Sequence, residues 1–310
     1  MRNLKKFLAM VLALVMSLSL VTIANAVDFS DAADIDYDEA VAVMSTIGVI
    51  DGMGNNSFDP DGTLTREQAA KLITYMLLGK NAENLGVEKS SFKDVAATRW
   101  SAPAIEYCVT MGIIDGAGDG NFYPAGKLTG YAFAKVLLTA LGYSSKTEGF
   151  TGANWAINVA NVGLEVGLHN GLEKMFGSAE ITRQEAAQMA LNCIKAPLVE
   201  YATSATVTVN GEAVNFGSTK AQYVTTTLAR EQRISDRRLT NASSTTPNYT
   251  VEFGEKYFPL LRLDPEQDDF ERPSHTWVYE NKELGTYIDY DLLVATYEEA
   301  VDYKTLYELL

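Results

Sequence analysis

Leu64-Thr65-Arg66-Glu67-Gln68-Ala69-Ala70, Leu128-Thr129-Gly130-Tyr131-Ala132-Phe133-Ala134 and Ile181-Thr182-Arg183-Gln184-Glu185-Ala186-Ala187 are three versions of one phrase. Each sets a Thr ahead of a helix-like run, and a Gly-rich turn lies upstream of each. The first two superpose without gaps at an offset of 64, aligning Gly48 with Gly112, Asp51 with Asp115, Gly52 with Gly116, Phe58 with Phe122, Pro60 with Pro124 and Thr65 with Thr129. The second and third match at an offset of 55 (Trp100 with Trp155, Gly112 with Gly167, Gly116 with Gly171); two residues are then lost and Thr129 falls on Thr182. Such self-similarity means one small unit used repeatedly, whose apolar faces need neighbours to be buried.

The second copy shows the unit most fully. Trp100, Ala104, Ile105, Cys108 and Val109 share a face at helical spacing, predicting a first helix over about 101–111 with Pro103 in its first turn and Gly112 ending it. A loop through Asp115-Gly116-Ala117-Gly118-Asp119-Gly120 carries Phe122 and Pro124, and a second helix starts after Thr129 and runs to about Leu141. Thr65-x-x-Gln68 and Thr182-x-x-Glu185 read as capping boxes, in which the Thr oxygen accepts from the backbone three residues on and the Gln or Glu reaches back. Thr129 keeps the cap but has Ala132 in place of the reciprocal partner. Units of about 50 to 64 residues are too small to hold a core alone, whereas three packed together can. Residues 28–85 alone are therefore expected to be largely unfolded.

At the N-terminus, Arg2, Lys5 and Lys6 precede an apolar stretch from Phe7 to about Met16, and Ala24-Asn25-Ala26 is a small-x-small cleavage site. This reads as a secretory signal peptide over 1–26, with no membrane attachment after cleavage. Losing its three basic residues takes the formal net charge from −15 to −18. So acidic a chain is unsuited to nucleic acid and repels anionic wall polymers in general, so wall binding must rest on pockets with their own positive charge. Cys108 and Cys193 occupy apolar helix positions and read as unpaired core thiols. With two Cys and only His169 and His275, no zinc spacing is present, and no cofactor is expected.

Composition changes after Tyr201. Val207-Thr208-Val209-Asn210-Gly211-Glu212-Ala213-Val214 reads as a hairpin about an Asn-Gly turn. A polar stretch over about 230–248 reads as a loop, extended segments surround 249–253, 276–279 and 286–289, and a helical pattern begins at Leu292. The apolar ending Tyr307-Glu308-Leu309-Leu310 lacks a stop signal and reads as that of a fragment or of a prematurely terminated reading frame. The expected organisation is a signal peptide (1–26), three repeats (27–85, 86–148 and 149–200) and a mixed α+β C-terminal region (201–310). That last region lacks the repeat and is expected to be dispensable for attachment.

Arg66 and Arg183 take the first helical position after the Thr cap. A helix N-terminus offers unpaired N–H groups and a positive dipole end, and a guanidinium beside it adds a forked donor for a carboxylate. A cation placed there without an anionic partner is locally unfavourable, so both a ligand site and an Arg paired with a nearby Asp remain open. Ser57-Phe58-Asp59-Pro60-Asp61-Gly62 has some EF-hand character, but Gln68 stands where a bidentate Glu is needed, which argues against calcium. No Gly-x-Ser-x-Gly, His-Glu-x-x-His or phosphate loop occurs, so an enzyme is not expected; the alternative is a wall-associated glycan hydrolase targeted by the repeats. His275 reads as a surface or hairpin residue.

Phe92-Lys93-Asp94-Val95, Trp100, Ala104-Ile105, Gly112-Ile113-Ile114-Asp115-Gly116, Phe122, Pro124 and the Leu-Thr-Arg-Glu type of helix start resemble the S-layer homology domain. Residues 28 to about 197 look like its usual triple array. The resemblance implies a pseudo-threefold trefoil of helix-loop-helix repeats sharing a central bundle. It also implies non-covalent anchoring to secondary cell-wall polysaccharide through a pyruvylated sugar held in grooves between lobes, at the cell surface, with a surface layer of like copies as a further partner. The family's binding Arg maps onto Arg66 and Arg183, its aromatic-and-Asp motif onto Phe29-Ser30-Asp31 and Phe92-Lys93-Asp94, its Trp onto Trp100 and Trp155, and its loop Gly onto Gly52, Gly116 and Gly171. Gly130 replaces the Arg in the second copy, Phe150-Thr151-Gly152 has no Asp, and Tyr37 stands near the Trp position of the first. A pyruvate ketal would present its carboxylate to Arg, and sugar faces would stack on aromatic rings. Trp100 and Trp155 also sit where a helix would bury them, and core packing is favoured for both, as for Phe58 and Phe122.

Overall fold

The computed structural model describes residues 29–174, 177–201, 205–209, 212–216, 220–227, 234, 248–268 and 271–289. The signal peptide, the Asn210-Gly211 turn, most of the 230–248 stretch and the helical pattern from Leu292 lie outside them. Helices fill the N-terminal part: α1 (Asp38–Thr46), α2 (Arg66–Leu78), α3 (Ala102–Thr110), α4 (Gly130–Ala140), α5 (Trp155–Glu165) and α6 (Arg183–Lys195). The start signals act as the sequence predicts. Thr65 and Thr182 close full capping boxes with Gln68 and Glu185, while Thr129 only accepts from the Ala132 N–H. Gly48, Gly112 and Gly167 follow α1, α3 and α5 at φ of 77°, 68° and 78°, the left-handed geometry that releases the chain into each loop.

The stretches ahead of α2, α4 and α6 close on one another in a ring. Leu64 N donates to Ile181 O, Ile181 N to Leu128 O, and Leu128 N to Leu64 O, at 3.0, 2.9 and 3.1 Å. Beyond the ring, each helix start is plugged by a loop from another segment. Arg66 N and Glu67 N donate to Gly126 O and Pro124 O, Arg183 N and Gln184 N to Gly62 O and Pro60 O, and Gly130 N and Tyr131 N to Ala179 O and Gly177 O. The first three N–H groups of all three helices are thus satisfied within the protein, counting the one that each Thr caps. The expectation of an open anion cradle at these helix ends is overturned. The polar groups that could meet an anion are side chains.

Between the helices the packing is cyclic as well: α3 lies on α2, α5 on α4 and α1 on α6, while α4 touches both α2 and α6. Phe58, Phe122, Phe133, Ile73, Ile105 and Leu137 are fully buried in one cluster that also takes Cys108 and Cys193, both unbonded thiols. Burial raises the Cys108 pKa to about 11 and raises that of Cys193 further, so neither is a reactive thiolate.

The C-terminal part consists of small antiparallel sheets: β1 (Val199–Glu200) with β4 (Gln222–Tyr223), β2 (Ala205–Val209) with β3 (Glu212–Phe216), β5 (Thr225–Thr226) with β6 (Tyr249–Thr250), and a meander of β7 (Leu261–Gln267), β8 (Pro273–Tyr279) and β9 (Lys282–Ile288). The hairpin pairs Val207 with Val214, as an Asn-Gly turn requires. Phe253 opens a short helix α7 (Phe253–Tyr257) instead of extending the 249–253 strand. β7 is an edge strand containing Pro265, where a missing N–H is tolerated.

Helical and sheet parts share their core. Phe253, Phe258, Leu261 and Trp277 are buried in the same cluster as α1 and α6, and β9 packs on α1. His275 is a hairpin residue, as expected, standing opposite Tyr287 in the β8–β9 hairpin, and it is half-buried instead of lying at the surface. It lies on β8 with Nε2 3.0 Å from Glu39 Oε1 on α1 and Nδ1 2.6 Å from Asp289 Oδ1. Trp277 Nε1 donates to the same Glu39 oxygen at 2.7 Å, and Lys195 Nζ lies 3.6 Å from it. No helix among the described residues is long and apolar enough to cross a membrane.

Candidate functional site

Two clefts open between segments, and most of their lining residues correspond, Phe150 and Thr151 belonging to the first alone and Met53 to the second alone. One, of about 340 Å³, is lined by Ile113, Ile114, Asp115 and Gly116 of a loop, by Leu128, Ala132, Lys135 and Val136 around α4, by Arg66 from α2 and by Trp155 from α5. The other, of about 240 Å³, is lined by Val49, Ile50, Asp51 and Gly52, by Leu64, Gln68, Lys71 and Leu72 around α2, by Arg183 from α6 and by Trp100 ahead of α3. Each cleft therefore takes its loop and helix from one segment, its Arg from a second and its aromatic wall from the next.

The guanidinium groups are held in the same way. Arg66 Nε donates to Phe122 O and Nη2 to Asp115 O, both at 2.8 Å, with the cation 4.5 Å from the centre of the Phe122 ring. Arg183 Nε donates to Phe58 O at 2.8 Å and Nη2 to Asp51 O at 2.9 Å, with the Phe58 ring 4.8 Å away. The paired-Asp alternative therefore fails: the anchors are main-chain carbonyls. Burial lowers the pKa of both groups and nearby Asp side chains oppose it, and both remain cations, as Arg does in proteins. Each Nη1 has no hydrogen-bond partner among the described residues. Arg66 is half-buried and Arg183 buried, and a pinned, desolvated fork with a spare donor suits a carboxylate better than a solvated Arg does.

Lys71 and Lys135 were not singled out by the sequence reading, and they supply the second cation of each cleft. Their signal was available: they align at the offset of 64 that links the first two copies, in an otherwise acidic chain. Lys71 pairs with Asp51 at 2.5 Å and lies 5.9 Å from the centre of the Trp100 ring. Trp100 is 57% exposed, so core packing fails for it. The reason is that α3 starts at Ala102, leaving Trp100 in the preceding turn, directed at the cleft. Trp155, the first residue of α5, is half-buried, with its ring edge-on to Tyr131 at 6.5 Å. Phe58 and Phe122 are fully buried, as expected.

Asp31 and Asp94 line neither cleft; they hold the loops behind them. Asp31 accepts from Phe58 N, Asp59 N and the Ser57 hydroxyl, and Asp94 accepts from Phe122 N and Tyr123 N. The Phe58 N–H, followed by the Ser57 hydroxyl, brings the Asp31 pKa down to about 2. Gly52 and Gly116 mark where the aromatic partners press in. A Cβ on Gly52 would stand 2.8 Å from Ser57 O and 2.9 Å from the Phe29 ring, and one on Gly116 2.4 Å from the Phe92 ring. Gly52→Ala and Gly116→Ala should therefore each lower stability by about 1–3 kcal/mol, as overpacking does, read as an earlier urea midpoint.

At the third position the chemistry changes. Gly130 takes the Arg place, Gln188 the Lys place and Glu185 the place of Gln68 and Ala132. Gln188 is turned to Asn170 O and Asn192, and the Tyr37 hydroxyl accepts from Glu173 N. Neither cation of the two clefts is reproduced. Among the described residues no group of three His, Cys, Asp or Glu side chains could hold a metal ion, and the Asp61 carboxylate accepts from Gln184.

Residues 28–70 and 91–134 match the family model of the S-layer homology domain, which covers the first two of the three sequence copies. The chain is similar to a cell surface protein of Thermoanaerobacter kivui, 30% identical over 77% of this chain and 31% of that protein. It is also similar to the surface-layer 125 kDa protein of Lysinibacillus sphaericus (32% identical, over 59% of this chain and 16% of the relative). With the S-layer protein EA1 of Bacillus anthracis it shares 30% identity over 46% of its own length and 17% of that protein. The chain thus spans less than a third of the length of these relatives. Two S-layer homology repeats and this set of surface-protein relatives make the chain a secreted protein of the cell wall and cell surface.

Proposed function

We propose that residues 27–200 are a wall anchor of three S-layer homology repeats (27–85, 86–148 and 149–200) arranged as a pseudo-threefold trefoil. The anchor holds the protein by binding secondary cell-wall polysaccharide through a pyruvylated sugar. The ring of hydrogen bonds among Leu64, Leu128 and Ile181 and the cyclic helix packing support the trefoil and the third repeat. The observation that carries the binding reading is the duplicated cleft: Arg66, Lys135 and Trp155 in one copy, Arg183, Lys71 and Trp100 in the other. Two cations on a chain of net charge −15 would meet the ketal carboxylate, and the indole would cover a sugar face. In this reading Gly52, Gly116, Asp31 and Asp94 shape the loops that carry the clefts, and the chain is an adhesive part without catalysis. Assembly with like copies into a surface layer is part of this reading, supported by relatives named as surface-layer and S-layer proteins.

Mature chain mixed with native cell walls should sediment with them and should stay in solution when the walls have been stripped of their secondary polymer. Equal retention on stripped walls would place the receptor in the peptidoglycan and refute the polysaccharide reading.

A further inference from the structure

The two clefts share their cations and differ in their walls: Phe150 and Thr151 line only the Arg66 cleft, and Met53 lines only the Arg183 cleft. In the Arg183 cleft, Gln68 is held at both ends: Oε1 accepts from Thr65 N at 2.9 Å, and Nε2 points at Met53 Sδ at 3.5 Å. The pair borders the cleft at the start of α2, where Lys71 is held by Asp51. In the Arg66 cleft the matched positions are Ala117 and Ala132, neither long enough to meet the other. Lys135 has no ion-pair partner there among the described residues, and the open volume rises from about 240 to about 340 Å³. The substitution that costs α4 half of its capping box is therefore the one that opens its cleft.

From this we infer that Met53 and Gln68 set the length of glycan each cleft accepts. The Arg183 cleft seats a terminal acidic sugar alone, and the Arg66 cleft seats the neighbouring sugar as well. The assignment rests on the polysaccharide reading above and adds a specificity rule to it. The wall is rigid because Gln68 is fixed by the helix cap, so a second ring cannot push it aside without breaking that cap.

Calorimetry with two probes tests the rule: the methyl glycoside of a pyruvylated monosaccharide, and a trisaccharide ending in the same residue. The mature chain should bind the trisaccharide at one site about tenfold more tightly than the monosaccharide, the gain expected when a second sugar face is buried. The double change Ala117→Met, Ala132→Gln should erase that preference, and it should not lower the melting temperature, because it restores the capping box. Met53→Ala with Gln68→Ala should create a second tight site for the trisaccharide. An unchanged trisaccharide preference in the Ala117→Met, Ala132→Gln chain would overturn the inference. Failure of the unaltered chain to bind either probe would instead overturn the polysaccharide reading.

Discussion

Replacing Arg66 and Arg183 together by Ala should nearly abolish retention on native walls, and each single change should weaken it by about tenfold to a hundredfold. That range corresponds to one charge-assisted hydrogen bond of about 1.5–3 kcal/mol to a ligand carboxylate. Each Arg also braces a loop through two main-chain carbonyls, so stability should fall alongside binding. The Arg→Lys variants separate the fork from the charge. Lys keeps a cation near the cleft but cannot hold both carbonyls and a carboxylate at once, so it should bind poorly despite its charge. Gly130→Arg is a weaker test, because Gln188 and Glu185 leave the third position without a second cation. Undiminished wall binding by a double Ala variant that still melts cooperatively would make the guanidinium groups loop braces and nothing more.

The helices were legible because their signals are local. A Thr cap with its reciprocal Gln or Glu, an apolar stripe and a terminal Gly lie within one helix length, and α2, α4 and α6 start where the Thr residues place them. The Arg pair was legible by position but not by role. An open helix end and a carbonyl-plugged end have the same sequence, and only the ring formed by segments more than 50 residues apart tells them apart. Trp100 misled for a related reason: helical spacing places it on the buried face of α3, but the helix starts two residues later. β7 went unread because Pro265 and its charged neighbours speak against a strand, which an edge position tolerates.

Least legible was the union of the two parts. The change in composition after Tyr201 suggests an independent C-terminal region, yet Leu198 N donates to Val251 O, Phe253 N to Ala196 O and Val199 N to Leu141 O. A cut at residue 200 would uncover Ile194 and Leu198 in the shared core. Wall binding by residues 27–200 alone therefore tests chemistry and folding at once. A loss of binding in that fragment speaks against the division of labour only if the fragment is shown to be folded.

The polar cluster that links the two parts should be sensitive to pH. Glu39 accepts from Trp277 and lies within hydrogen-bonding distance of His275, whose other nitrogen faces Asp289; Lys195 approaches the same carboxylate from α6. An imidazole between two carboxylates satisfies both only when both nitrogens carry protons. Burial favours the neutral ring, but Glu39 and Asp289 outweigh it and raise the His275 pKa above 6.5. Its contribution to stability is thus complete below the unfolded value of about 6.5 and is lost as pH rises through the higher folded value. Burial likewise opposes ionisation of Glu39, yet His275, Lys195 and Trp277 together hold its pKa at about 2 against an ordinary 4.5. That contribution is present above 4.5 and is lost as pH falls towards 2. The link should therefore be strongest between about pH 4.5 and 6.5, and thermal melts should fall from that window towards pH 8. His275→Gln should flatten the alkaline limb. Glu39→Ala should cost about 3–5 kcal/mol near pH 6, because it leaves His275, Lys195 and the buried Trp277 N–H without their shared partner. A Glu39→Ala chain as stable as the parent at pH 6 would show that apolar packing alone joins the sheets to the helices.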